Sequence, residues 1–279
     1  MTSLSKQILT AHRSRKKASF VEARSSGGPA IEVEGLTKLF QDRKRGTVEA
    51  VKEVSLTCRY GEVFALLGPN GAGKTTTLRM LATILQPTSG TAQVAGYDVR
   101  SHPLDVRRSI GVLSGNTGLY HRLTARETLE YFGRLHSIPE DTLSERIDQV
   151  LDLFDMRSFA DTRCEKLSTG MRQKVSIART ILHDPPILIL DEPTLGLDIL
   201  VASTMIQFVQ ECRSRGKCII FSTHIMGEVQ KLCDRIGIIH GGRLRAIGTL
   251  DELSEATGYE FLEDIFMAVM ASSTTKALT

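Results

Sequence analysis

The chain has 279 residues, 41% of them hydrophobic and 24% charged, with a net charge of +3. That composition excludes a disordered, collagen-like or low-complexity protein and leaves one large domain, or a core with a subdomain. The charge is uneven: residues 1–30 hold six cations (Lys6, Arg13, Arg15, Lys16, Lys17, Arg24) against Glu22, a net of +5, so the rest carries −2. A core of that sign argues against nucleic acid as a partner. The basic leader (1–30) reads as a solvated, disordered segment, or alternatively as one that touches anionic lipid or nucleic acid. Five cysteines (Cys58, Cys164, Cys212, Cys218, Cys233) form no C-x-x-C pair and sit mostly in apolar runs. They read as buried, reduced thiols rather than zinc ligands or disulfides. No stretch approaches the roughly 18 apolar residues of a membrane span, and residues 1–30 lack the apolar centre of a secretory signal. Work at a membrane would therefore need a second chain to cross it.

Beyond Pro29, Ile31–Glu34 and then Val48–Tyr60 alternate apolar and polar residues, which predicts half-buried antiparallel strands. Glu62–Leu67 is a short apolar run that ends in a glycine-rich loop. Lys74–Leu85 has helical spacing (Leu78, Leu81, Ala82, Leu85), stopped by Pro87 and Gly90. Ile110–Leu113 is a further short strand. Thr124-Ala-Arg-Glu127 is a capping box, followed at helical spacing by Leu129, Phe132 and Leu135. Leu143, Ile147, Val150, Leu151 and Phe154 form a second stripe, so residues of about 120–165 read as a helical insertion. Ile187–Leu190 and Cys218–Phe221 are continuous apolar runs, as parallel strands covered on both faces require. Gly237–His240 and Leu244–Ile247 flank Gly241-Gly242, a hairpin signal. Phe261–Ala271 is apolar enough to be a helix that packs on the core, or one that forms a dimer contact. The expected fold class is α/β: a parallel-sheet core, an N-terminal antiparallel layer and an inserted helical subdomain.

The segment Gly68-Pro69-Asn70-Gly71-Ala72-Gly73-Lys74-Thr75, with Thr76 after it, fits G-x-x-x-x-G-K-[ST]. Glycines let backbone N–H groups converge on phosphate oxygens, and the helix beginning near Lys74 turns its positive end toward them. Lys74 then reaches the β- and γ-phosphates, and the Thr75 hydroxyl is a Mg²⁺ ligand. A buried strand ends in Asp191-Glu192. Ligands of open α/β sheets sit at the carboxyl edge of the strands, so Asp191 faces the Mg²⁺ and Glu192 is placed to accept a proton from the water attacking the γ-phosphate.

Leu167-Ser168-Thr169-Gly170-Met171-Arg172-Gln173 precedes an amphipathic helix (Val175, Ala178, Ile181, Leu182), with Gln173 eighteen residues ahead of Asp191. It resembles the signature LSGGQ of ATP-binding-cassette (ABC) ATPases: Ser168 and Gly170 match, Thr169 replaces Gly and Met171 replaces Gln. Gly196-Leu197-Asp198 resembles the family's D-loop, and Ser222-Thr223-His224 its switch histidine. Phe40 stands where the family places an aromatic that stacks on adenine, the alternative being a core phenylalanine. The resemblance covers residues of about 31–250, with 251–279 left as a helical tail.

The resemblance implies ATP and Mg²⁺ as ligands and Lys74, Glu192 and His224 as catalytic residues. Phe40, the loop 68–76, Ser168, Thr169, Gly170 and Asp198 would bind the nucleotide. Two copies would face head to tail, each ATP lying between the phosphate loop of one and the signature of the other. It also implies a separate multi-span permease and a place on the cytoplasmic face of the membrane. Ile110–Tyr120, the Ser-Thr-Gly-Met-Arg-Gln-Lys signature and Asp191–Asp198 look most like sodium-extruding ABC ATPases of the NatA type. Drugs, lipids and polysaccharides are the alternative cargoes. A soluble cassette of translation or DNA repair would typically show a second cassette, a long coiled coil or zinc cysteines, and a P-loop kinase or GTPase would leave the signature unexplained. One departure stands out: where most cassettes carry Gln, this chain reads Ser114-Gly115-Asn116. Either Asn116 replaces that amide as a Mg²⁺ ligand or water fills the position.

Overall fold

The computed structural model describes residues 28–42, 46–114, 118–195 and 199–272. Strands β1 (Pro29–Asp42) and β2 (Gly46–Arg59) pair antiparallel from Pro29 opposite Arg59 to Asp42 opposite Gly46. Both run further than the alternation suggests, because bulges reset the pattern midway. Gly35 and Glu53 take positive φ there, and the Thr37 hydroxyl ties the kink by accepting the Glu53 N–H (3.0 Å) and donating to the Gly35 carbonyl. Strand β3 (Val63–Leu67) leads through the glycine-rich loop into α1 (Lys74–Leu81). This helix stops one turn short of the predicted Leu85, with Thr83 at φ 59°. Strands β4 (Ser89–Val94) and β5 (Tyr97–Asp98) return to the first sheet, which has the order β2-β1-β4-β5. A side chain at Gly90 would meet the Gly35 carbonyl oxygen at 2.2 Å, so the two backbones cross there only because Cβ is absent.

The chain continues through α2 (Pro103–Ser109), β6 (Ile110–Ser114), α3 (Ala125–Leu135) and α4 (Glu140–Leu153). The capping box forms as expected: Thr124 Oγ1 accepts the Glu127 N–H (3.1 Å) and the Glu127 carboxylate accepts the Thr124 N–H (2.8 Å). Two short 3₁₀ turns then lead to α5 (Thr169–Ile181), β7 (Ile187–Asp191), α6 (Ile199–Ser214), β8 (Cys218–Thr223) and α7 (Met226–Leu232). The predicted hairpin is β9 (Arg235–His240) with β10 (Arg243–Gly248), turned by Gly241 and Gly242, both at positive φ. Helices α8 (Leu250–Thr257) and α9 (Leu262–Ser272) end the described chain. None of the described helices is long and apolar enough to cross a membrane.

The second sheet has the order β10-β9-β3-β8-β7-β6, parallel except at β10. Its central strands are apolar up to their carboxyl ends because both faces are covered. Successive residues of β3 point to opposite sides. Phe64 and Leu66 join the core beneath the antiparallel layer and α1, with Ile31, Leu36, Val54 and Leu81. Val63, Ala65 and Leu67 join the core beneath the remaining helices, with Leu129, Leu151 and Val175. Leu262, Ile265 and Val269 of α9 are buried in that second core, so this tail docks on the cassette rather than standing free. All five cysteines are free thiols, four of them buried. Burial, with the neighbouring Cys218 thiol, pushes the Cys58 thiol well above its usual range.

Candidate nucleotide site

Strands β3, β8 and β7 lie side by side, and their carboxyl ends carry the three motifs. Leu67, the residue before the phosphate loop, is level with Thr223, and Asp191 is level with Ser222. Residues far apart in sequence therefore meet at one edge, as ligand sites in open α/β sheets do.

The loop Gly68–Gly73 closes over the end of β3 and hands the chain to α1. A side chain at Gly68 would meet the Ile239 carbonyl oxygen at 2.3 Å, and one at Gly73 the Ala50 carbonyl oxygen at 2.6 Å. Gly73 also has φ 107° and Gly71 has φ 81°. Two of the three glycines are thus required by close backbone packing behind the loop, a reason separate from the approach of phosphate in front of it. Helix α1 begins without a side-chain cap and with no acidic residue in its first turn. Its leading N–H groups and positive dipole end suit an anion. Lys74 is only 4% exposed, and its ammonium donates to the carbonyls of Gly68 (2.6 Å) and Pro69 (3.1 Å). The same Nζ lies 3.4 Å from Glu192 Oε1. The cation is therefore held at the centre of the loop, facing the acidic strand end.

Asp191 Oδ1 accepts two hydroxyl hydrogen bonds, from Thr75 at 2.9 Å and from Ser222 at 2.7 Å. A carboxylate and a hydroxyl, all oxygen, match what Mg²⁺ takes from a protein, and the pair stands beside the phosphate loop. Ser222 Oγ also accepts the Glu192 N–H (3.0 Å), which reaches the Ser222 carbonyl as well (3.2 Å). Glu192 sits at φ 50°, a left-handed conformation that costs a non-glycine residue about 1–2 kcal/mol. Its carboxylate lies between Lys74 and His224, with Oε2 2.8 Å from His224 Nδ1. One oxygen thus faces a fixed cation and the other a hydrogen-bonding imidazole. Such a carboxylate is well placed to take a proton from a water lodged beside it.

Ser168 is the N-cap of α5, its Oγ accepting the Met171 N–H at 3.2 Å, with Thr169 and Gly170 in the first turn. Gln173 on the same helix donates to the Pro193 carbonyl (3.2 Å), linking α5 to the turn after Glu192. Phe40 is 38% exposed, with the Lys38 ammonium 5.3 Å from its ring centre, so it is a surface ring and not a core phenylalanine. Asn116 and Asp198 lie outside the described residues; Ser114, two residues before Asn116, is level with Asp191 in the sheet. Sequence reasoning passed over the tie that Ser222 makes between Asp191 and Glu192. Its signal was faint: a polar residue ending an apolar strand, two positions before His224.

A family model described as ABC transporter matches residues 51–195. The chain is 46% identical over 239 residues to the ABC transporter ATP-binding protein NatA of Bacillus subtilis (strain 168), covering 85% of this chain and 97% of NatA. It is 37% identical over 225 residues to the Nod factor export ATP-binding protein I of Ralstonia nicotianae, covering 81% of this chain and 68% of that one. It is also 34% identical over 228 residues to the linearmycin resistance ATP-binding protein LnrL of Bacillus subtilis (strain 168), covering 82% and 72% of the two chains. Among solved structures, the ATP-binding subunit of an ABC transporter superposes with a TM-score of 0.78 at 30% identity, covering 86% of this chain and 99% of that one. A dimeric bacterial ABC transporter cassette superposes with a TM-score of 0.72 at 25% identity, covering 78% and 98%. A family match over half the chain and near-complete coverage of NatA agree with what meets at the sheet edge: this chain belongs to the ABC transporter family, as the ATP-binding, ATP-hydrolysing subunit of a transporter.

Proposed function

We propose that this subunit hydrolyses Mg-ATP between two copies of itself on the cytoplasmic face of the membrane and powers extrusion of Na⁺ through a separate permease. The observation that carries the hydrolytic reading is the convergence of Lys74, Asp191, Glu192 and His224 at one strand edge. In this reading Lys74 and the N–H groups of residues 70–76 hold the phosphates. Thr75 and Asp191 hold Mg²⁺, which when bound neutralises charge on the transferring phosphoryl group. Glu192 accepts the proton of the attacking water, and His224 orients it from the far side. The strained backbone of Glu192 keeps its carboxylate aimed at that position. Phe40 stacks on the base, and the first turn of α5 (Ser168, Thr169, Gly170) meets the γ-phosphate of the opposing copy. Because both copies then contact one nucleotide, closure requires ATP.

A permease partner is supported by a groove of about 550 Å³ between α2, α3 and α5. Ile84, Leu104 and Leu135 present apolar surface there, beside Arg107, Arg108 and Arg179. That lining suits an amphipathic segment carrying acidic side chains. The sodium reading rests on the likeness to NatA; the Nod factor and linearmycin relatives keep organic cargo as the second reading. The test is sodium flux in sealed vesicles holding the chain with its permease. ATP-dependent Na⁺ transport that Glu192→Gln abolishes is the expected result. ATPase activity with no Na⁺ movement would transfer the reading to an organic cargo.

A further inference from the structure

Glu228, in the first turn of α7, is 8% exposed, and each of its carboxylate oxygens accepts from a different threonine. Oε1 takes the hydroxyl of Thr194, and Oε2 that of Thr223 at 2.8 Å. The two threonines belong to the two loops that matter most. Thr194 lies two residues beyond Glu192, in the turn where the Leu195 N–H donates to the Glu192 carbonyl (3.2 Å). Thr223 immediately precedes His224; its carbonyl accepts the Gly68 N–H (3.4 Å) and its Oγ1 accepts the Ile225 N–H (3.0 Å).

We propose that Glu228 is a positioning residue that locks the turn after Glu192 to the strand end bearing His224. A carboxylate is acceptor-only, so it draws both threonine hydrogens toward itself. That leaves the Thr223 lone pair facing the Ile225 N–H, which brackets His224 between two fixed residues. A buried carboxylate satisfied by two neutral hydroxyls is a poor device for stability, since a well-packed apolar side chain would serve better. It is a good device for holding two loops in one register. Glu192 needs such support: a non-glycine residue in the left-handed region persists only where its surroundings over-determine it. The turn is fastened from the other side by Gln173 on α5. Glu228 thus completes a clamp that sets the gap between the two groups flanking the attacking water. This inference rests on the reading of Glu192 and His224 as hydrolytic residues.

The experiment measures kcat and KM for Mg-ATP on the full chain, with thermal melts, for Glu228→Ala, Glu228→Gln, Thr194→Val and Thr194→Ser, beside Glu192→Gln. Glu228→Ala is expected to lower kcat about tenfold, in keeping with lost hydrogen bonds to a charged group, while KM stays within about twofold. Glu228→Gln, which still bridges both threonines, should keep kcat within about threefold. Thr194→Val should fall like Glu228→Ala, and Thr194→Ser should not. An unchanged kcat in Glu228→Ala, a parallel loss in KM, or Glu228→Gln as slow as Glu228→Ala overturns the clamp. Where Glu228→Ala does not fold, the Val and Ser variants at Thr194 decide by the same criteria. Turnover surviving in Glu192→Gln would overturn the hydrolytic reading itself; a dead Glu192→Gln beside a normal Glu228→Ala would overturn only the clamp.

Discussion

Ser222→Ala isolates the tie between the two acids. The hydroxyl is fully buried, donates to Asp191 Oδ1 at 2.7 Å and accepts the Glu192 N–H at 3.0 Å. A buried hydrogen bond to a charged acceptor contributes about 1.5–3 kcal/mol. Asp191 keeps the Thr75 hydroxyl, and the Glu192 N–H keeps the Ser222 carbonyl, so neither group is left unpaired. The loss should therefore sit at the low end, about 1.5–2 kcal/mol. For a chain of this size that is a fall in Tm of roughly 3–8 °C. Turnover should fall about tenfold, since Asp191 and Glu192 lose the atom that orients both. Differential scanning calorimetry and steady-state ATPase assays measure the two quantities. A variant within about 0.5 kcal/mol of the parent and with normal turnover would refute the view that Ser222 holds the acids in register.

Lys74→Ala removes the cation at the centre of the loop and should reduce ATP hydrolysis at least a hundredfold; rates within twofold of the parent would refute the phosphate-loop assignment. Phe40→Ala should weaken ATP binding roughly five- to hundredfold, the range of one lost base stack, with little change in Tm because the ring is exposed; equal affinities by fluorescent-nucleotide titration would remove Phe40 from the site. His183 stacks on His136 (ring centres 3.6 Å apart), and its Nδ1 is buried without a hydrogen-bond partner. Burial, helped by the nearby His136, pushes its pKa down from 6.5 to about 3. The unfolded chain therefore binds that proton more readily than the folded one, and stability should fall as pH drops from about 6.5 toward 3, by up to about 1.4 kcal/mol per unit. Melting curves across that window should flatten for His183→Phe; an unchanged slope would assign the acid sensitivity to other groups.

The motifs were legible because each joins a local backbone demand to a chemical one. The run Glu62–Leu67 before Gly68 and the helical spacing after Lys74 left little alternative to a strand, a loop and a helix, although α1 ends at Leu81. The capping box at Thr124 and the Gly241-Gly242 turn were legible for the same reason. Strands β4 and β5 were not: Ser89–Val94 is short and rich in small and polar residues, and its place is set by pairing with β1. Helix α7 carries only seven residues, too few to declare a period. The contacts around the acids were invisible for a different reason. Ser222 meets Asp191 through strand register, and Glu228 meets Thr194 across thirty-four positions, so no local pattern announces either. Phe40 shows the converse, since its place on the surface was fixed only by the sheet around it.

The most direct test of the account is Glu192→Gln examined by gel filtration with and without Mg-ATP, alongside its hydrolysis rate. The amide keeps the shape beside Lys74 and His224 but cannot take up the proton, so hydrolysis should fall a hundredfold or more while ATP still binds. Bound, unhydrolysed ATP should then hold two copies together, and the variant should elute as a dimer with Mg-ATP and as a monomer without it. A variant that binds ATP yet stays monomeric, or that hydrolyses at the parent rate, would contradict a shared site in which Glu192 is the base.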